Sequence, residues 1–180
     1  MKEGNQNKYV FLDIDGVLNS VAHRDDDPIE YKTEQPLSRY LVNKLRSWHD
    51  MATWLNSGSL TNIYFIGISS WFTSSDVARE LEEVSKLLKI DIVDCIDYCG
   101  GGSGRGKSLL DYVEKHEIRY WAVLDDAGGY MYGYPTVNVN GRVGITDYDL
   151  QMVDFFLDSY RGPEYISEYR ETHTNAFKRG

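Results

Sequence analysis

Short apolar runs alternating with helical patterns decide what this chain can fold into. Four runs stand out, Tyr9–Leu12, Ile63–Ile68, Ile90–Ile96 and Trp121–Leu124, with a weaker fifth at Thr136–Val139. Runs this short, rich in β-branched and aromatic residues and ending in small or acidic ones, read as strands buried on both faces. Between them apolar residues recur at close to helical spacing over Leu37–Leu55, Ser75–Leu88, Ser108–His116 and Asp147–Tyr160. Ser38 is placed to cap the first helix, and Ser74 or Ser75 the second. The alternation predicts an α/β fold on a mainly parallel sheet of about five strands.

The 180 residues suit one domain, predicted over 1–160, with the polar stretch 19–36 as a flap and 161–180 as a C-terminal tail. The amino-terminal stretch Met1–Val10 lacks the apolar core of a secretory signal, and no apolar run approaches the ~20 residues of a membrane span. Cys95 and Cys99 cannot build a disulfide framework, and with four scattered histidines they make a poor zinc site. They read as a reduced thiol pair in a cytoplasmic protein. A net charge of −9 argues against strong nonspecific binding to nucleic acid while leaving room for a local basic cleft.

Two of the predicted strands end in paired acids: Asp13 and Asp15 follow Leu12, and Asp125 and Asp126 follow Leu124. Active sites of open α/β sheets lie outside the carboxyl ends of the strands, so parallel pairing brings these acids to one edge. Clustered carboxylates repel one another. A hard divalent cation with oxygen ligands relieves that repulsion, and Mg²⁺ suits a few carboxylates plus a substrate phosphate.

The strings FLDIDGVLNS, IYFIGISSW, GRGKSLLDY and WAVLDDAGG stand in that order from residue 11 to residue 129. The set resembles the four motifs of the haloacid dehalogenase (HAD) superfamily of phosphotransferases. The narrower pattern of DGVLN, SSW, LDD and a later GIT is similar to the small HAD domains of nucleic-acid repair proteins and phage-type phosphatases. The resemblance covers roughly Tyr9 to Thr146. It implies a Rossmann-like three-layer sandwich with a minimal cap and an Mg²⁺-dependent phosphatase.

Asp13 would be the nucleophile that forms an aspartyl-phosphate and also binds Mg²⁺. Asp15 would act as general acid and then base, and its backbone carbonyl would touch the metal. Ser69, with Ser70 as the alternative one residue on, would hydrogen-bond the phosphoryl group. Lys107 would neutralise its charge. Asp125 would complete the metal shell, with Asp126 a second ligand or a contact through water. Asn19, Ser70, Trp71 and Arg105 are the candidate substrate contacts.

A competing pattern overlaps the third string. Gly101 to Ser108 fits G-x4-G-K-[ST], the phosphate-cradling loop of P-loop NTPases and kinases, and WAVLDD would serve such a protein as its acidic strand. That reading leaves DIDGVLN and ISSW unexplained. A non-catalytic phosphate-binding module is a third possibility, which the chemically competent residue at every motif position opposes. The gaps between the motifs hold no large cap, so the site is expected to be open. A nucleotide is the first candidate substrate and a 3′- or 5′-phosphorylated nucleic-acid end the second. His23, Arg24, Arg39, Trp71, Arg105, Tyr130, Tyr132 and Tyr134 offer the bases and aromatic faces that a nucleic acid would use. Asn140-Gly141 is a strong turn signal and predicts a hairpin tip beyond the last strand.

Overall fold

The computed structural model of the chain describes residues 7–23, 27–31, 36–56, 61–72, 75–96, 102–131 and 134–159. The chain opens on β1 (Lys8–Leu12). It then crosses a 3₁₀ turn at Val21–His23 and two short strands, β2 (Pro28–Ile29) and β3 (Leu37–Ser38), which pair antiparallel with each other. The helix α1 (Arg39–Asn56) leads to β4 (Ile63–Gly67), and α2 (Val77–Leu88) leads to β5 (Ile92–Cys95). The helix α3 (Gly102–Lys115), the strands β6 (Tyr120–Asp125) and β7 (Thr136–Asn138), and the helix α4 (Asp147–Leu157) complete the order.

Five strands form one sheet in the order β5-β4-β1-β6-β7, and every pairing in it is parallel. The fold is thus the Rossmann-like α/β sandwich expected. Parallel neighbours need crossover connections, which the helices supply. Helices on both sides cover the central strands, whereas the edge strands β5 and β7 keep exposed residues, Val93 and Asn138. Val10 and Leu12 join the core beneath α1, α2 and α4, whereas Phe11 packs on the other face with Leu109, Leu110 and Val113 of α3. The second core is strongly aromatic: Trp121 meets Phe11 edge to face at 5.8 Å.

Several predicted boundaries shift, each for a local reason. Leu37 and Ser38 form β3 rather than the first helical turn, because Leu37 pairs with Ile29 and the Ser38 N–H donates to the Leu18 carbonyl at 2.8 Å. Ser38 still caps α1, its hydroxyl accepting from the Leu41 N–H at 3.4 Å. The cap of α2 is Asp76, not Ser74 or Ser75; its carboxylate accepts from the Arg79 N–H at 3.3 Å. The Asn140-Gly141 turn is present, with the Val143 and Gly144 N–H groups donating to the Asn140 carbonyl. It feeds α4 and makes no hairpin. The glycine-rich stretch 98–107, which reads as a loop, is helical in its described part: residues 102–107 are the first turns of α3, and 98–101 lie outside the described residues. Cys99, Arg24, Tyr132 and the tail from Tyr160 lie outside them too. Among the described residues no helix is long and apolar enough to cross a membrane.

The entry to α4 is a capping box: Thr146 accepts from the Asp149 N–H at 3.2 Å, and the Asp149 carboxylate accepts from the Thr146 N–H at 2.8 Å. Replacing Thr146 with Ala should cost about 1 kcal/mol of unfolding free energy, read from the midpoint of urea denaturation at unchanged slope.

Candidate active site

The strand order reverses at β1. The chain steps outward from β1 to β4 and β5, then returns to the other side of β1 as β6. A crevice opens at the carboxyl ends of the strands at such a point. Leu12 pairs with Gly67 on one side and Leu124 on the other, so the residues that follow these strands converge. They are Asp13, Ser69 and Asp125. The Asp13 N–H continues the ladder to the Leu124 carbonyl at 2.9 Å, and the Ile68 N–H donates to the Leu12 carbonyl at 3.0 Å.

Asp13 and Asp125 are both buried, at 4% and 0% exposure. Two carboxylates so close and so dry require a counter-charge. Arg105 supplies it: its Nη1 donates to Asp13 Oδ2 at 3.2 Å and to Asp125 Oδ2 at 2.9 Å. Asp13 also accepts from the Ile14 N–H at 2.8 Å and from the Ser69 hydroxyl. Asp125 accepts from the Ala127 N–H at 2.7 Å. Burial, and then the charge of Asp125, still push the Asp13 carboxyl up from the ordinary 3.8 to about 6, against the opposing pull of Arg105. Asp126 is likewise raised, by partial burial and then by Asp125 and Asp15.

Two glycines make room for Asp126. A Cβ on Gly16 or on Gly141 would collide with its carboxylate, and Gly16 also sits at φ +73°, a conformation that favours glycine. The role of Gly141 was not foreseen. Nothing in the sequence links it to Asp126, some fifteen residues away.

Asp15 leaves the sheet edge in the turn after β1. Its Oδ1 accepts from the Asn19 amide at 2.7 Å and from the Trp71 indole N–H at 3.0 Å. Asn19 in turn accepts from the Gly16 N–H at 2.7 Å and so closes that turn. Trp71 is 8% exposed, and Tyr31 stacks on it at 5.3 Å. It offers no open face for a base. Ser69 is buried beside Asp13, whereas Ser70 is exposed.

Lys107 was expected to reach the phosphoryl group. Its side chain instead lies in solvent and pairs with Asp111, one helical turn on. Residues two apart on a helix point roughly 200° from each other. Since Arg105 faces the acids, Lys107 must face away, and the guanidinium fills the position foreseen for the ammonium. The same helix disposes of the P-loop pattern, because Gly102 to Ser108 are helical residues and not a cradle ahead of a helix.

One carboxylate oxygen each from Asp13, Asp125 and Asp126 lie within 4.8 Å of one another. This is an all-oxygen, trianionic donor set, only partly neutralised by one arginine, and it fits Mg²⁺. The three expected carboxylate ligands therefore meet; Asp15, expected to reach the metal through its backbone carbonyl, has its carboxylate held by Asn19 and Trp71.

A family model described as the HAD domain in Swiss Army Knife RNA repair proteins matches residues 9–150. No curated protein and no solved structure matches the chain.

Millimolar Mg²⁺ should raise the melting temperature of the wild-type protein, and Asp125→Asn should abolish that shift in differential scanning fluorimetry. A second expectation follows from the raised carboxyl of Asp13. A proton held more tightly in the folded than in the unfolded chain means that ionised Asp13 costs stability. The cost sets in as pH rises past the ordinary carboxylate range and is complete above about 6. Asp13→Asn should therefore stabilise the metal-free protein at pH 8, by on the order of 2 kcal/mol, and the gain should shrink at pH 5.

Proposed function

The chain belongs to the family of HAD domains in Swiss Army Knife RNA repair proteins, and from that premise we propose that it is an Mg²⁺-dependent phosphatase acting on a phosphomonoester at a nucleic-acid end. HAD domains are in general hydrolases, phosphatases among them. The observation that carries the reading is the meeting of Asp13, Asp125 and Asp126 at the ends of two adjacent parallel strands, with Arg105 and Ser69 on Asp13.

Asp13 acts as the nucleophile. One of its oxygens is fixed by the Ile14 N–H, and the other, Oδ2, lies toward Arg105. In the first half-reaction a bond forms between an Asp13 oxygen and phosphorus as the bond from phosphorus to the leaving oxygen breaks. Asp15 gives that oxygen its proton, so the product leaves as an alcohol. In the second half-reaction water attacks the aspartyl-phosphate, Asp15 takes its proton, and Asp13 and inorganic phosphate are released. Arg105 and Ser69 donate to the phosphoryl oxygens as charge gathers there. Mg²⁺, held by Asp13, Asp125 and Asp126, would add further neutralisation of that charge.

Among the described residues Asp126 is exposed, as is Ser70 next to the buried Ser69, and groups reachable from solvent at the edge of the site support a polymer end. Beside them, the Ala22 N–H donates to the Arg142 carbonyl at 2.8 Å and ties the 3₁₀ turn to the segment that flanks Asp126. That turn carries His23, stacked on Tyr40 at 4.8 Å, in a recess of about 520 Å³ that Arg39 also lines. A free nucleotide uses the same chemistry, and the name of the family favours the RNA end over it.

Purified protein with Mg²⁺ should release phosphate from a 3′- or 5′-phosphorylated oligoribonucleotide with a higher kcat/KM than from the mononucleotide, measured as inorganic phosphate. EDTA should stop the reaction. Asp13→Asn should lower kcat at least 10³-fold. Arg105→Ala should lower it by about 10²-fold and Lys107→Ala by less than threefold. Equal losses in those two variants would return the cationic role to Lys107. Absence of turnover on every phosphoester would mark a binding module.

A further inference from the structure

The indole N–H of Trp71 points at Asp15 from a ring that is itself held in place. Trp71 stands in the 3₁₀ turn Ser70–Phe72 after β4, and Asp15 in the turn after β1, so their contact joins two different strand ends. Tyr31, from the segment after β2, stacks on the indole with a 19° interplanar angle, and its hydroxyl donates to Glu83 of α2 at 3.0 Å. The indole is thus backed by an aromatic ring that a helix anchors.

We propose that Trp71 is a positioning residue for proton transfer, acting through Asp15 and not on the substrate. The proposal rests on the reading of Asp15 as the proton donor. The asymmetry of the hydrogen bonds carries it. Both N–H donors, from Trp71 and Asn19, fall on the same oxygen, Oδ1, at 3.0 and 2.7 Å. An oxygen that already accepts two N–H groups is a poor place for a proton, so protonated Asp15 carries it on Oδ2. The indole N–H is a donor only. It cannot turn over to accept, as a hydroxyl could, and the stacked ring cannot swing away. The arrangement therefore fixes which oxygen bears the proton and where that oxygen sits. In the first half-reaction the Oδ2–H bond breaks and the new O–H bond forms on the leaving alcohol while the ester bond to phosphorus breaks.

Leaving-group dependence tests this. An alkyl alcohol needs the proton to depart, whereas p-nitrophenolate does not. In single turnovers with enzyme in excess, which read the first half-reaction alone, Asp15→Asn should slow alcohol release from glycerol 2-phosphate far more than p-nitrophenolate release from p-nitrophenyl phosphate. If it depresses both alike, the proton-donor reading itself fails. Given that selective loss, Trp71→Phe, which keeps a ring under Tyr31 and deletes the N–H, should lower that single-turnover rate on the alkyl ester about tenfold more than on the aryl ester. The enzyme concentration that half-saturates this rate should be nearly unchanged on both. Equal losses on the two esters, or a loss expressed in that concentration, would overturn the proposal and leave Trp71 a packing or substrate-contact residue. Should Trp71→Phe fail to fold, Tyr31→Leu carries the same test: it removes the backing ring, and it should give a smaller loss with the same alkyl selectivity. No selectivity there would overturn the proposal.

Discussion

Two buried carboxylates on neighbouring strands can coexist in this protein because one guanidinium bridges them. Asp13 and Asp125 end β1 and β6, and the parallel register leaves them no way to separate. Arg105 reaches both through a single nitrogen. Removing Arg105 would leave the two buried carboxylates facing each other without a counter-charge, at a cost of several kcal/mol. The first turn of α3, the ends of β1 and β6, and the ionisation of Asp13 are therefore one coupled system. The raised carboxyl of Asp13 records what the bridge leaves uncompensated.

Around that bridge the fold sorts side chains by what each strand end can reach. β4 lies on one side of β1 and brings Ser69; β6 lies on the other and brings Asp125 and Asp126. Asp15, two residues beyond Asp13, has already left the sheet edge. Asn19 and Trp71 hold it, and its carboxylate is not among the three that could share a cation. Two acids separated by one residue thus reach different environments, one dry and crowded by charge, the other satisfied by neutral N–H donors. Such a divergence lets identical side chains take different chemical parts.

Much of this was legible in the sequence. Apolar runs of four to seven residues can hardly be anything but buried strands when helical patterns separate them. Acids that follow two such runs must meet once the strands are parallel neighbours. The choice of cation was not legible. Lys107 fits the motif by position, but Arg105 lies on the side of α3 that faces the sheet, and that depends on where the helix starts. Glycines at 102, 104 and 106 read as a loop because each costs a helix about 1 kcal/mol relative to alanine. The ion pairs of Arg105 oppose that cost, and no local pattern could reveal them. The turn at Asn140-Gly141 was visible for the same local reason that its destination was not: a turn signal says that the chain bends and says nothing about which element follows.

Those glycines have a consequence for the bridge. Gly104 and Gly106 flank the arginine that spans the acids, so the stretch of helix carrying the counter-charge is also the stretch least stiffened by its own backbone. A guanidinium keeps its proton at any pH the fold survives, so acidity cannot switch this cation off. The bridge is therefore anchored on the part of α3 with the weakest intrinsic helix preference, and it is Leu109, Leu110 and Val113 further along that tie the helix to the aromatic core.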